Sequence, residues 1–125
     1  IIISLRGDAE KAYLTLPTSD IGYHAGTKEW LASSPWELWS IYPDGASTLL
    51  NRTSEQMASV APLDQFGVLM ITTRRSLQAF NPGYYTNQTL WEGTEIEAAA
   101  ANAAQKKIYF LGTVGSARGV YALEY

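Results

Sequence analysis

The chain of 125 residues contains no cysteine and one histidine, His24. Without cysteine there can be no disulfide, thiolate metal site or cysteine nucleophile. A single histidine cannot form a multi-histidine metal site, and no residue is singled out as its partner in base catalysis, so we expect His24 on the surface or in a loop. No serine-hydrolase elbow, zinc-protease, phosphate-loop or dinucleotide motif occurs in the sequence. We therefore expect no metal, no cofactor and no enzymatic activity.

Basic residues are also scarce, with 9 Lys and Arg against 12 Asp and Glu and a net charge of -3. The two basic pairs, Arg74-Arg75 and Lys106-Lys107, are typical of solvated turns. A nucleic-acid-binding face needs clustered basic residues, so we expect none. No apolar run approaches the roughly 18 residues of a membrane span. The opening Ile1–Ile3 is too short for a signal-peptide core and there is no initiator Met, so we expect a processed chain or part of a longer one.

What the chain does have is strand-like sequence in close succession. Apolar residues make up 46% of it, enough for a real core, and its length suits one domain. Between Gln56 and Gly93 four such runs follow one another, separated by turn residues. The runs are Met57–Pro62, Phe66–Thr73, Ser76–Phe80 and Thr89–Glu92.

Shorter strand-like runs flank this segment. They are Ile1–Leu5, Ala12–Leu16, Trp36–Tyr42, Thr48–Leu50, Ile108–Leu111 and Val120–Tyr125. Pro43-Asp44-Gly45 has the composition of a tight turn. Thr18–Pro35 has no clear period and carries two glycines, which predicts a long functional or mobile loop.

The alanine-rich segment 96–106 allows two interpretations. Its Ala, Glu, Gln and Lys residues are the best helix formers, and Thr94 with Glu97 matches a capping box. However, it stands directly before the strand Ile108–Leu111, where the preceding unit has Met57–Ala61. We favour a strand at Ile96–Ala101 followed by a turn at 102–106, with the helix as the alternative.

The strands repeat with a period near forty residues. The first strands start at Met57 and Ile96, 39 residues apart, and the second strands at Val68 and Ile108, 40 apart. The third strands start at Leu38, Leu77 and Val120, with offsets of 39 and 43. The fourth start at Thr48 and Thr89, 41 apart. Four short strands in such a period are typical of β-propeller blades. The innermost strands of blades crowd around an axis, which suits the small residues of Met57–Ala61 and the alanine run.

The fold we expect is therefore all-β: one β-propeller-like unit with about three four-stranded blades at 1–50, 56–92 and 94–125, the last without its fourth strand. Propellers need about four to eight blades to close a ring. We expect closure through homo-oligomerisation or through missing segments on another chain.

Two segments resemble known propeller families. Phe66–Glu92, with its strand, tight turn, Leu-Gln-Ala-Phe-Asn-Pro-Gly and then Leu-Trp, is similar to the quinoprotein-type repeat. Lys107–Tyr125 resembles blades of the fungal fucose-specific lectins, which have a basic residue entering one strand and a Glu near the end of the next. The second resemblance implies a sugar ligand bound with Lys107 and Glu124.

Aromatic residues beside polar ones supply further candidates for ligand binding. They are Trp30 beside Glu29, Tyr84 with Tyr85 in a turn, and Trp91 beside Glu92. A ring can stack on the C–H face of a sugar while a carboxylate accepts from its hydroxyls, although packing between blades is the alternative for any one ring. The acidic pairs Glu95/Glu97 and Asp8/Glu10 are local and solvated, so we do not expect a glycoside hydrolase.

The leading functional hypothesis is a non-catalytic, lectin-like module that binds carbohydrate between blades or in loops. The alternatives are a structural or protein-interaction propeller segment of a larger extracellular protein, and the propeller part of an enzyme with its chemistry elsewhere. Asn51-Arg52-Thr53 and Asn87-Gln88-Thr89 match the N-glycosylation pattern, which indicates a secreted glycoprotein.

Overall fold

The structure, a computed structural model, describes residues 2–4, 11–14, 18–42 and 46–125. Within these ranges there are thirteen strands and no helix. The strands are β1 (Ile2–Ser4), β2 (Lys11–Leu14), β3 (Asp20–His24), β4 (Glu29–Ser33), β5 (Glu37–Ile41), β6 (Ser47–Arg52), β7 (Met57–Pro62), β8 (Leu69–Thr73), β9 (Ser76–Asn81), β10 (Thr86–Glu92), β11 (Glu95–Asn102), β12 (Lys107–Val114) and β13 (Ala117–Glu124).

The strands form three antiparallel meanders and one separate hairpin. We name them the first sheet (β3-β4-β5-β6), the second sheet (β7-β8-β9-β10), the third sheet (β11-β12-β13) and the β1-β2 hairpin. Four-stranded meanders that follow one another along the chain are the blade unit of a propeller, so the expected all-β, propeller-like fold is confirmed. The ring is not closed, and in the described residues the third sheet has three strands, as expected.

Two apolar cores hold the sheets together. The first lies between the first and second sheets and contains Leu31, Leu38, Met57, Leu69, Ile71 and Phe80. The second lies between the second and third sheets and contains Leu63, Met70, Leu77, Ile96, Ile108 and Phe110. Successive side chains of a strand point to opposite faces, so β8 supplies both cores and is buried along its whole length. This explains why Leu69, Met70 and Ile71 are all apolar rather than alternating with polar residues.

The inner strands are β3, β7 and β11, which contact one another in the order of the sheets. The alanine run lies in β11, so the strand interpretation of Ile96–Ala101 is confirmed and the helix alternative is wrong. Pairing with β12, from Ala98 opposite Leu111 to Asn102 opposite Lys107, satisfies the backbone groups that a helix would have satisfied internally. Helix propensity is overridden here by the sheet partner.

The long loop predicted at Thr18–Pro35 is wrong. This segment contains β3 and β4, which pair from Asp20 opposite Ser33 to His24 opposite Glu29. The pattern was hidden because β3 is exposed along most of its length and has Gly22 in its centre, so its apolar residues do not alternate visibly.

The first four-stranded sheet consequently runs from Asp20 to Arg52, and the strands expected near the N-terminus do not belong to it. β1 begins 18 residues before β3, and β2 begins 9 residues before it. At the boundary between the second and third sheets the spacing is nearly the same: β9 begins 19 residues before β11, and β10 begins 9 residues before it. The β1-β2 hairpin therefore has the spacing of the third and fourth strands of a blade. The turn predicted at 43–45 lies outside the described residues.

Candidate functional site

A cleft of 730 Å³ opens between the first and second sheets, where the β3-β4, β7-β8 and β9-β10 connections lie near Tyr42, the residue after β5. Its rim carries four aromatic side chains, Tyr42, Phe66, Tyr84 and Tyr85. Its polar lining includes His24, Glu29 and Asn81. We call this the inter-sheet cleft.

Three of the rim rings are unusually exposed: Phe66 is 81%, Tyr84 79% and Tyr85 74% accessible to solvent. Large rings left this open contribute little to the core, although they would be buried readily by a ligand. Their proximity in one cleft distinguishes them from scattered surface aromatics.

The β9-β10 turn that carries the two tyrosines is held by Asn81. Its side-chain Oδ1 accepts from the backbone N–H of Gly83 at 3.0 Å, and its carbonyl accepts from that of Tyr84 at 3.3 Å. Tyr85 then adopts φ of 53°, a left-handed conformation that costs a non-glycine residue about 1 kcal/mol or more. The turn therefore fixes the backbone that carries both rings, at some energetic cost.

The β7-β8 connection that carries Phe66 is organised by Asp64. The Asp64 Oδ1 accepts from the backbone N–H of Phe66 at 2.8 Å and of Val68 at 3.0 Å. This side-chain turn presents the Phe66 ring at the mouth of the cleft rather than in the core.

The polar lining comes from the ends of β3 and β4, where His24 and Glu29 are cross-strand partners. The Glu29 Oε2 accepts from the Ser40 hydroxyl at 2.8 Å, which orients the carboxylate. The His24 Nδ1 accepts from the backbone N–H of Thr27 at 3.2 Å, while its Nε2 has no hydrogen-bond partner among the described residues. His24 is only 2% exposed, so its expected surface or loop position is wrong: it is the buried last residue of a strand.

Of the predicted aromatic and acidic residues, the cleft brings together Glu29, Tyr84 and Tyr85. Trp30 does not line it: its ring packs on Tyr23 with centroids 4.9 Å apart and is partly exposed. Neighbours along a strand point to opposite faces, so Glu29 and Trp30 are separated by the sheet itself.

Trp91 and Glu92 are likewise outside the cleft, near the end of β10. The Trp91 indole Nε1 donates to the Thr94 hydroxyl at 2.9 Å, and its ring lies 6.1 Å from that of Phe110. Trp91 therefore packs against the second core, so it follows the alternative interpretation, packing between blades, rather than ligand binding. Glu92 is solvent-exposed.

Lys107 and Glu124 are cross-strand partners in the third sheet, with the Nζ and Oε1 atoms 4.0 Å apart. Glu124 also lines a hollow of 430 Å³ beside Leu63 and Tyr125. The Tyr125 hydroxyl donates to the Leu63 carbonyl at 2.7 Å. Burial, and secondarily the charge of Asp64, raises the pKa of Tyr125. An exposed Lys–Glu pair of this kind contributes little stability, and it lies apart from the inter-sheet cleft.

The two glycosylation candidates lie between the first and second sheets but do not line the inter-sheet cleft. Asn51 and Asn87 both line a hollow of 240 Å³ there. The Asn87 Nδ2 donates to the Gln78 Oε1 at 2.8 Å from an exposed position on β10. Asn51 is half-buried on β6.

Sequence reasoning missed Tyr42, Phe66, His24 and Asn81 as cleft residues. Asn81 and Tyr42 could have been found as the flanks of predicted turns. Phe66 was assigned to a strand although it lies in the connection before β8.

In the part of the chain that the structure describes, no three His, Cys, Asp or Glu residues are grouped as a metal site. Over the same residues, no helix has the length and hydropathy of a membrane span.

No protein-family model matches the sequence, and no characterised protein sequence matches it significantly. Two solved structures have the same fold. One is a chain of the S. cerevisiae complex of Dbp5 bound to Nup159, Gle1, IP6 and ADP, with a TM-score of 0.60; the other is the N-terminal domain of Nup159, with a TM-score of 0.63. Each is 10% identical to this chain, and the match covers 98% of this chain and 34% of the other. The chain thus spans about a third of a β-propeller of this kind, and at such low identity the likeness shows the fold alone.

Proposed function

We propose that this chain is a non-catalytic, protein-binding segment of a β-propeller and that its partner binds in the inter-sheet cleft. The observation that carries the proposal is the group of exposed rings, Phe66, Tyr84 and Tyr85, around a single cleft. Aromatic side chains are enriched among the residues that dominate binding energy at protein interfaces. The hydrogen bonds that hold the backbone of their turns limit the backbone entropy lost on binding.

The solved structures support a protein partner in general terms. In one of them Dbp5 is bound to Nup159, whose N-terminal domain has the same fold as this chain. Because this chain matches only a third of that propeller's length at 10% identity, the proposed partner is a protein, of no specified kind.

The test is site-specific photo-crosslinking with benzoylphenylalanine in place of Tyr85, with the same group in place of Tyr109 as the matched control. Tyr109 is a partly exposed tyrosine on β12 that does not line the inter-sheet cleft. We expect a discrete protein adduct from the native source at position 85 only, identified by mass spectrometry and then shown to bind as a purified protein. Equal adducts at both positions, or none at either, would reject the proposal.

Carbohydrate binding is the second candidate, supported by the presence of Glu29 with Tyr84 and Tyr85 in one cleft. The rings would stack on the sugar and the carboxylate would accept from its hydroxyls. A glycan array probed with the wild-type chain and with Tyr85→Ala tests it. Binding to one glycan class that disappears in the variant, without any protein adduct in the crosslinking experiment, would favour this candidate over the first.

We also propose that further blades complete the ring, either from copies of this chain or from another chain. The first sheet supports this because Ile21 and Tyr23 on its inner strand β3, and Trp30 on the neighbouring β4, are exposed large hydrophobic residues. Light scattering should give a discrete oligomer or a stoichiometric complex with the partner. A stable monomer over the whole accessible concentration range, with no complex, would contradict this.

The sequons at Asn51 and Asn87 support a secreted glycoprotein. Expression through a secretory pathway should give a mass that falls on enzymatic deglycosylation and that is reduced in Asn87→Gln. An unmodified secreted product would remove the support for this location.

A further inference from the structure

The inter-sheet cleft combines aromatic faces with one type of charge. Tyr42, Phe66, Tyr84 and Tyr85 all line it. The face of an aromatic ring carries negative charge density and attracts a cation placed within about 6 Å of its centre. Rings that enclose a site from several sides are therefore suited to a cationic group.

Among the residues that the structure describes, Glu29 is the only carboxylate that lines the cleft, and no lysine or arginine lines it. The Ser40 hydroxyl fixes one carboxylate oxygen of Glu29, so the group is held in place and need not be reoriented when a ligand binds. Lys28 is next in sequence, but it belongs to the β3-β4 turn and does not line the cleft. An anionic ligand would meet a carboxylate and aromatic faces, and the described lining offers no cation to balance its charge.

We propose that the cleft recognises a basic side chain, preferentially arginine, presented by an extended segment of the protein partner; this rests on the proposed protein-binding function. The guanidinium would lie on the tyrosine rings and donate hydrogen bonds to the Glu29 carboxylate. Arginine is preferred to lysine because its planar group can stack on a ring and bind a carboxylate at the same time. The overall charge of -3 favours approach of a basic segment.

The experiment is an NMR titration of the isotopically labelled chain with acetyl-Gly-Gly-Arg-Gly-Gly-amide. The matched peptide has citrulline, which preserves the size and planarity of the side chain and removes its charge. We expect amide shifts confined to 24–29, 66–67 and 81–85, and an affinity for the arginine peptide about three- to tenfold higher than for the citrulline peptide.

Two pairs of variants test the residues assigned to the site. Glu29→Gln and Tyr85→Ala should each lower the affinity for the arginine peptide by about three- to tenfold, while Glu92→Gln and Tyr109→Ala should leave it unchanged. The amide spectrum of each variant shows at the same time that it is folded.

Equal affinity for the two peptides, no detectable binding, or shifts outside the cleft would each overturn the proposal. Failure of this proposal is distinguishable from failure of the proposed function. If a partner crosslinks at position 85 but the arginine and citrulline peptides bind equally, the protein-binding function stands and only recognition of a basic side chain is rejected. Arginine binding without any crosslinked partner rejects the protein-binding function instead.

Discussion

The sharpest stability prediction concerns Thr73, a buried residue at the end of β8 whose hydroxyl lies within hydrogen-bonding distance of four groups, three of which share its two acceptor lone pairs. Its Oγ1 accepts from the backbone N–H groups of Arg75 at 3.2 Å and Ser76 at 3.0 Å. It donates to the Glu55 Oε1 at 2.8 Å, so the contact of 2.7 Å with the Ser76 Oγ must be donated by the serine. One hydroxyl thus joins the β8-β9 turn to the connection between the first and second sheets.

Thr73→Val keeps the size and β-branching of the side chain, so it removes these bonds without creating a cavity. The N–H of Ser76 lies in a buried hydrogen bond and would be left without an acceptor, at a cost of about 1 to 3 kcal/mol. Loss of the bond to the Glu55 side chain adds about 1 kcal/mol more, while the Arg75 N–H can reach water. We expect the free energy of unfolding to fall by about 2 to 4 kcal/mol.

The assay is urea unfolding followed by tryptophan fluorescence, with Thr86→Val on β10 as the control. Thr86 is exposed, so the same chemical change there should shift the free energy of unfolding by no more than about 0.5 kcal/mol. A loss in Thr73→Val that equals the loss in the control would refute the assigned hydrogen bonds.

Two further predictions concern the first and third sheets. A Cβ at Gly26 would overlap the Gln65 carbonyl of the facing β7-β8 connection, so Gly26→Ala should lower the free energy of unfolding by about 1 to 3 kcal/mol. Gly22→Ala, where nothing lies within 4 Å of the added atom, is the control in urea unfolding, and equal losses would show that the two sheets do not touch there. In the third sheet, the hydrogen bond from Arg118, with its Nε 2.8 Å from the carboxylate, holds the pKa of Glu97 below its usual 4.5. Arg118→Ala should therefore raise this pKa in an NMR titration of the carboxyl group. The stability from the pair is present above the usual pKa and is lost as pH falls through the lowered one, so wild type and variant should converge in acid. An unchanged titration would show that the pair does not form.

The forty-residue repeat predicted the secondary structure of the alanine run correctly, whereas local helix propensity did not. Ala98–Ala101 would be helical by propensity, but the spacing from Met57 to Ile96 assigned the run to the inner strand of a blade. The repeat spacing indicates which strand will pair with a segment, and that pairing decides whether the segment forms a strand or a helix. The same argument failed for β3, because the weak alternation of Asp20–His24 offered no strand start to compare with the other blades.

The candidate site was predicted only in part, for a geometric reason. Glu29 and Trp30 were paired because they are neighbours in a presumed loop, but in a strand such neighbours lie on opposite faces. Tyr84 and Tyr85 were identified because they lie in a turn, where both rings remain exposed. Phe66 could not be assigned to the cleft from sequence, since its position depends on how the first sheet packs against the second.

The measurement that most directly tests the central claim is the dissociation constant of the crosslinked partner for the wild-type chain, for Tyr84→Ala/Tyr85→Ala and for Tyr109→Ala. If the inter-sheet cleft is the binding site, the double variant should bind at least about tenfold more weakly, as expected for anchor residues, and Tyr109→Ala should bind as tightly as the wild type. Equal affinities for all three proteins would show that the partner binds elsewhere and would contradict the account.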